Sequence, residues 1–273
     1  MSADQATATV PSTTLLPGPL RSRLEHVWGT VVSIDVRDPG TSDDAVDAAW
    51  ASVRAELHRI DEVFSTFRAD SVISRLRAGG THVIADDVAD VIDRCLEARL
   101  ATAGAFDPWH VSGGFDPSGL VKGWAADRCA RILQQHGLRS FTVDAAGDLV
   151  CRGAAGEGHG GWPIGIAHPD DPQSVVAVVE IRDGAIATSG TSQRGEHVTD
   201  PRTGSAARGA RQATVVGPDG GLADAYATAL VVSGVSGASW FTSLPGWSAY
   251  VIEGDTATAW GPAFDDTARG QES

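Results

Sequence analysis

Asparagine is missing from this chain of 273 residues, methionine occurs only at its start, and Lys122 is the one lysine among 21 basic residues. Arginine excess with no asparagine is the mark of a GC-rich coding sequence rather than of a function. Basic charge is also outweighed: 35 Asp and Glu set a formal charge of −14 and a pI near 4.8. So acidic a chain is a poor match for a phosphate backbone, and nucleic acid is not an expected partner. Cys95, Cys129 and Cys151 form no CxxC pair and no dense framework. They read as small buried residues in a reducing compartment, not as disulfides or zinc ligands. No apolar run approaches the roughly 20 residues that cross a bilayer, so no membrane span is expected. The first twenty residues have neither a basic start nor an apolar stretch, and no cysteine follows them to carry a lipid. A cytoplasmic protein without a signal peptide is the expectation.

What the chain does have is ample apolar content, 42%, for one large domain. A Thr/Pro/Ala-rich segment over 1–20 and a polar tail over 266–273 are expected to be disordered, with a single domain over 21–265 between them. Segment 25–37 (EHVWGTVVSIDVR) alternates Val32, Ile34 and Val36 against polar neighbours and predicts a half-buried strand. Val46, Trp50, Val53, Leu57, Ile60 and Phe64 step by fours and threes, one clean face of a helix over about 42–65. A second helix is predicted over 86–103, closed by Gly104, and a third from near Gly119 to Gly137. From 141 onward the pattern is strand-rich, at 141–151, 162–167, 175–182, 211–217 and 248–253, with one helix at 221–233. Early helices followed by hairpin-like strands argue for α+β. Neither GxGxxG after a strand nor GxxxxGK[ST] is present.

Three stretches concentrate polar residues in apolar, glycine-rich surroundings. In 102–133 a Gly/Pro loop leads into a helix whose first turn carries Lys122. Free N–H groups and a lysine there suit a phosphate, and a compact ammonium is not replaced by arginine's wide fork. The bland alternatives are a plain loop with Asp107 and Asp116 as turn and cap residues, and a lysine left on a helix surface by chance. In 183–204, Thr188, Ser189, Thr191, Ser192, Arg194, His197, Asp200, Arg202 and Thr203 crowd one loop that can donate to a pyrophosphate. His197 suits a general base near neutral pH, or is simply solvated. In 221–234, Asp224 and Thr228 share one face of an apolar helix. They form half a site for a hard cation such as Mg²⁺, or else a dipole-favoured acid and a threonine bonded back to a carbonyl.

Taken together, these stretches resemble the ApbE family of FAD:protein FMN transferases over about 25–255. The matching pieces in chain order are FSTFRADSVISRL (64–76), TAGAFDP (102–108), FDPSGLVKGWAADR (115–128), VDAAGDLVCRG (143–153), WPIGIAHP (162–169), AIATSG (185–190), HVTDPRTG (197–204) and ADAYATAL (223–230). The resemblance implies an ApbE-like α+β flavin transferase fold, related to T-fold domains, with FAD as substrate in a cleft between lobes. It implies Mg²⁺ held by Asp224 and Thr228, helped by backbone carbonyls at Gly119 and Ala227. FAD contacts are implied for Phe67, Phe106, Asp107, Asp116, Lys122, Asp148, Thr188, Ser189, Gly190 and Arg202. Lys122 and a Thr188–Gly190 turn would meet the pyrophosphate, and His197 and Lys122 would be the catalytic residues. The partner implied is a flavoprotein with an Asp-Gly-Ala-Ser/Thr-Ala-Thr-like motif, which accepts FMN on Thr or Ser while AMP leaves. An FAD pyrophosphatase and a non-catalytic FAD-binding protein are the alternatives. This sequence departs from the family pattern at Phe67 (usually tyrosine), Val72 (often acidic or polar), and Ser118 and Ala146 (usually glycine).

Overall fold

The computed structural model describes residues 20–80, 84–110, 113–191 and 198–265. The two tails expected to be disordered lie outside the described residues, apart from Leu20. The described residues open on two strands rather than the single one expected, β1 (Arg21–Val27) and β2 (Thr30–Val36). Trp28 and Gly29 between them take φ of 58° and 70°, the backbone of a two-residue hairpin turn. Tryptophan is an unusual occupant of left-handed backbone, so the break was hidden in the alternation. The segment 141–151 likewise splits into β3 (Phe141–Ala145) and β4 (Asp148–Arg152), with Ala146 and Gly147 at φ 62° and 97°. Ala146 therefore occupies a conformation that a glycine adopts without strain.

Helix α1 (Asp43–Phe64) starts on Ser42, whose hydroxyl accepts from the Ala45 N–H, and it buries the six apolar positions that its spacing marked. α2 (Val72–Arg77) was not anticipated, being too short for a periodic signal. α3 (Asp86–Ala101) buries Val88, Val91, Cys95 and Ala98 but leaves Leu96 and Leu100 outside. Gly104, at φ 79°, donates back to the Arg99 carbonyl and closes α3 as expected. α4 (Ser118–Gln135) follows, before β3. After β4 come β5 (Trp162–His168), β6 (Asp171–Ile181), β7 (Gly184–Gly190), and the short pair β8 (Thr199–Asp200) and β9 (Ser205–Ala206). The order ends with β10 (Gln212–Gly217), α5 (Gly220–Ser233), β11 (Ser248–Glu253) and β12 (Thr256–Trp260).

Eight strands form one antiparallel sheet in the order β1-β2-β3-β4-β7-β10-β11-β12. Side chains alternate between its faces. Val150 and Val215 meet the helices, whereas Leu149, Cys151 and Val216 meet the β5–β6 hairpin and Phe264 on the other side. The result is helices on one face, a sheet, and a hairpin behind it: an α+β fold, as expected. α4 and α5 lie against each other, α4 over β3 and β4 and α5 over β7 and β10. That pairing positions the site.

Candidate functional site

At the start of α4, Asp116 accepts from the Ser118 N–H at 3.0 Å and from the Ser118 hydroxyl. The N–H groups of Leu120 and Val121 both turn to the Pro117 carbonyl. The free amides expected beside Lys122 are thus largely in use, because the Asp116 side chain and Pro117 satisfy them locally. Gly119 breaks the helical path (φ −80°, ψ 15°), so regular helix begins at Leu120 and Lys122 falls in its first turn. A Cβ at Gly119 would sit 3.3 Å from the Phe106 ring and 3.7 Å from Thr228 Oγ1, so α4 approaches α5 closely there.

α5 is nearly all apolar and buried, and Asp219 caps it by accepting from the Leu222 N–H at 2.9 Å. Its second turn carries Asp224, only 2% exposed, and Asp148 at the start of β4 is equally buried. Lys122 Nζ donates to both carboxylates, to Asp148 in a very short contact and to Asp224 Oδ2 at 3.1 Å. Burial would lower the lysine pKa, but the two carboxylates raise it above the ordinary lysine range. Burial first, and then the charge of Asp148, push the Asp224 carboxyl up to about 7, against the pull of Lys122. Two carboxylates and one ammonium leave a surplus negative charge in a buried space.

Thr228, one turn on, shares a hydrogen bond with Ser189 Oγ at 3.0 Å, and Thr188 shares one with Thr214 Oγ1 at 2.8 Å. Thr188, Ser189 and Gly190 are not the turn that was expected. They end strand β7, paired with Thr214, Ala213 and Gln212 of β10. Gly190 suggested a turn, yet a Cβ there would meet the Arg211 carbonyl at 3.1 Å, so the glycine serves a close backbone approach. β4 pairs with Gly184, Ala185 and Ile186, so among the described residues the other edge of Thr188–Gly190 has no strand partner.

Lys122, Asp148, Asp224, Thr228, Ser189, Gly119 and Phe106 thus converge on the helix side of the sheet, with Ala227 buried on α5. The Thr188 side chain is exposed and meets Thr214 on the hairpin side instead, so it does not join them. Other expected ligand residues have local partners. Asp107 is buried and takes Arg99 Nε at 2.7 Å, the Trp109 N–H at 3.0 Å and His110 Nδ1 at 3.2 Å. Arg99 and these hydrogen bonds overcome burial and hold its pKa below the usual carboxylate range. Arg202 grips Asp200 with two bonds of 2.9 Å within the β8–β9 turn. Phe67 is 96% exposed between α1 and α2. His197, Ser192 and Arg194 lie outside the described residues. Reasoning from the sequence missed Asp127, which accepts from the Gly220 N–H across the two helices; a charged residue at a buried position of α4 was its signal.

Residues 28–112 and 110–251 match the model of the ApbE family. The chain belongs to the ApbE family. A relative from Vibrio cholerae named FAD:protein FMN transferase is 34% identical, over 76% of this chain and 79% of its own length. One of the same name from Klebsiella pneumoniae is 27% identical over 81% and 82%. The crystal structure of the Pseudomonas stutzeri flavinyl transferase ApbE superposes with a TM-score of 0.77 at 21% identity, covering 91% of this chain and 97% of that one. The last likeness establishes the ApbE fold. No helix among the described residues of this ApbE chain is long and apolar enough to cross a membrane. Its three cysteines are free and buried.

Proposed function

We propose that this ApbE chain is a Mg²⁺-dependent FAD:protein FMN transferase, which cleaves FAD, joins FMN to a Thr or Ser of a target flavoprotein and releases AMP. The observation that carries the reading is the buried Lys122–Asp148–Asp224 cluster beside the Ser189–Thr228 pair. Its donors fit the cation: they are hard oxygens, and two carboxylates against one ammonium hold surplus negative charge in a buried place. Asp224 and Thr228 would hold Mg²⁺ through side chains, with carbonyls of Gly119 and Ala227. The chemistry a bound Mg²⁺ supplies is charge neutralisation on the pyrophosphate and on AMP as it leaves.

The chain's own residues do the positioning. Lys122 holds Asp148 and Asp224 together and brings the nearest positive charge to an anionic substrate. The edge of Thr188–Gly190 left unpaired among the described residues offers backbone donors, with the Ser189 hydroxyl beside it. His197 takes the proton from the acceptor hydroxyl as the new phosphoester forms. The buried free cysteines fit a reducing, cytoplasmic setting. The test is to incubate the protein with FAD, Mg²⁺ and a flavoprotein bearing the Asp-Gly-Ala-Ser/Thr-Ala-Thr motif, and to weigh the acceptor. An FMN-sized gain supports transfer. FAD consumed without that gain makes the protein a pyrophosphatase, and FAD left intact makes it a binding protein.

A further inference from the structure

We infer that Asp127 is a positioning residue, which sets the geometry of the cation site by tying the N-terminus of α5 to α4. The inference rests on reading Asp224 and Thr228 as cation ligands. Three contacts run along the two helices in antiparallel order. Lys122 meets Asp224. Gly123 meets Gly220 so closely that a Cβ on Gly123 would lie 2.0 Å from the Gly220 carbonyl oxygen. Asp127 Oδ2 accepts from the Gly220 N–H at 2.6 Å.

Glycines on both sides let the backbones touch, but a glycine contact has no side chain to stop one helix sliding on the other. Trp124 and Leu120 pack against Gly221 nearby, and the Asp127 hydrogen bond adds a directional stop at Gly220 itself. Gly220 and Asp224 are four residues apart, about 6 Å of helix rise, so a slip at the clamp passes directly to the ligand carboxylate. Asp219 caps Leu222 and pairs with Arg94, which leaves the Gly220 N–H to Asp127.

Stability alone does not account for the group. Asp127 is 8% exposed, with Arg152 at 3.5 Å from Oδ1. Burial first, and then the charge of Asp219, push its pKa up to about 6, while Gly220, Arg152 and Arg131 pull the other way. An acid raised on folding adds stability only when protonated, and that contribution is lost as pH rises through about 6. At neutral pH the ionised carboxylate burdens the fold, yet it holds α5 in register.

The test uses the full chain and Mn²⁺ as the probe cation, followed by electron paramagnetic resonance without FAD, beside the Mg²⁺ dependence of FMN transfer. Asp127→Asn keeps the shape but not the charged acceptor. Mn²⁺ affinity is expected to fall at least about tenfold, the scale seen for groups behind a metal ligand. The Mg²⁺ requirement for transfer rises with it, and saturating Mg²⁺ restores the rate. A merely structural role would instead lower the rate at every Mg²⁺ level with Mn²⁺ affinity unchanged, and that result overturns the inference. Asp224→Ala separates the two readings: if it binds Mn²⁺ as wild type does, the cation site itself is wrong. If Asp224→Ala loses Mn²⁺ while Asp127→Asn keeps wild-type affinity, only the positioning role fails. Should Asp127→Asn not fold, Asp127→Glu keeps the charged acceptor but moves it one methylene away from the Gly220 N–H. Weakened Mn²⁺ binding there supports the inference and unchanged binding overturns it.

Discussion

Replacing Lys122 by methionine preserves side-chain length and removes the ammonium. Asp148 and Asp224, each with 3% of its side chain exposed, then lie together with no cation between them. Deleting one partner of a buried ionic cluster costs about 3–5 kcal/mol. Lys122 keeps 28% of its side chain exposed, so solvent screening places the expected loss near the lower end, about 3 kcal/mol. Against a total stability of about 5–15 kcal/mol, that is a large share. The loss depends on pH. Asp224 already has its pKa raised to about 7 by burial and by Asp148, and removing Lys122 raises it further. An acid raised on folding stabilises below its unfolded pKa of about 4, and the contribution is lost as pH rises through the folded value. Lys122→Met should therefore be weakest at about pH 8 and recover toward about pH 5 as the pair takes up a proton. Urea unfolding in EDTA at both pH values measures this, with the slope compared to confirm a common unfolded state. Adding Asp148→Asn to Lys122→Met should regain stability at the higher pH, since only one carboxylate is left to ionise. A variant as stable as wild type at about pH 8, or a loss of equal size at both pH values, would refute the reasoning.

Lys122→Arg keeps the charge but puts a broad planar fork between Asp148 and Asp224, so FMN transfer should be markedly impaired; wild-type turnover of FAD would show that charge alone suffices. His197→Ala should bind FAD and Mg²⁺ yet transfer FMN at least ~10²-fold more slowly, whereas an equal fall in FAD affinity would make His197 a binding residue. Ala146→Gly relieves left-handed strain of about 1–2 kcal/mol and adds unfolded-state entropy worth about 0.4–1 kcal/mol. A net gain of about 0.5–1 kcal/mol should appear as a higher urea midpoint, and a lower midpoint would count against the turn. Asp183–Thr188 resembles an acceptor motif with Ile186 out of place, but Gly184–Ala187 are buried in β7, and Thr188, though exposed, is fixed by its pairing with Thr214 in backbone and hydroxyl. Intact mass after incubation with FAD and Mg²⁺ should not change; an FMN-sized gain that Thr188→Val abolishes would disprove this.

Local sequence settled what acts within a few residues. The spacing from Val46 to Phe64 determined which face of α1 is buried, because a helix repeats every 3.6 residues whatever it packs against. Gly104 marked the end of α3 through its own backbone freedom. Asp224 and Thr228 were assigned to one helix face from their spacing. The ordered motifs brought Lys122, Asp148 and Ser189 into the same expected site by resemblance, without saying which atoms would meet.

The two hairpins escaped notice because Trp28 and Ala146 fill left-handed positions that glycine or asparagine usually announces. The Thr188–Gly190 segment was mistaken for a turn because glycine signals either a turn or a close approach, and only pairing with β10 decides between them. The ammonium of Lys122 meets a carboxylate 102 residues away, and Asp127 meets an N–H 93 residues away. Propensity and periodicity carry no information over such separations. Those contacts exist because α4 and α5 cross at paired glycines above adjacent strands of one sheet. The tertiary structure alone decided that the lysine expected to face a phosphate first holds two buried carboxylates.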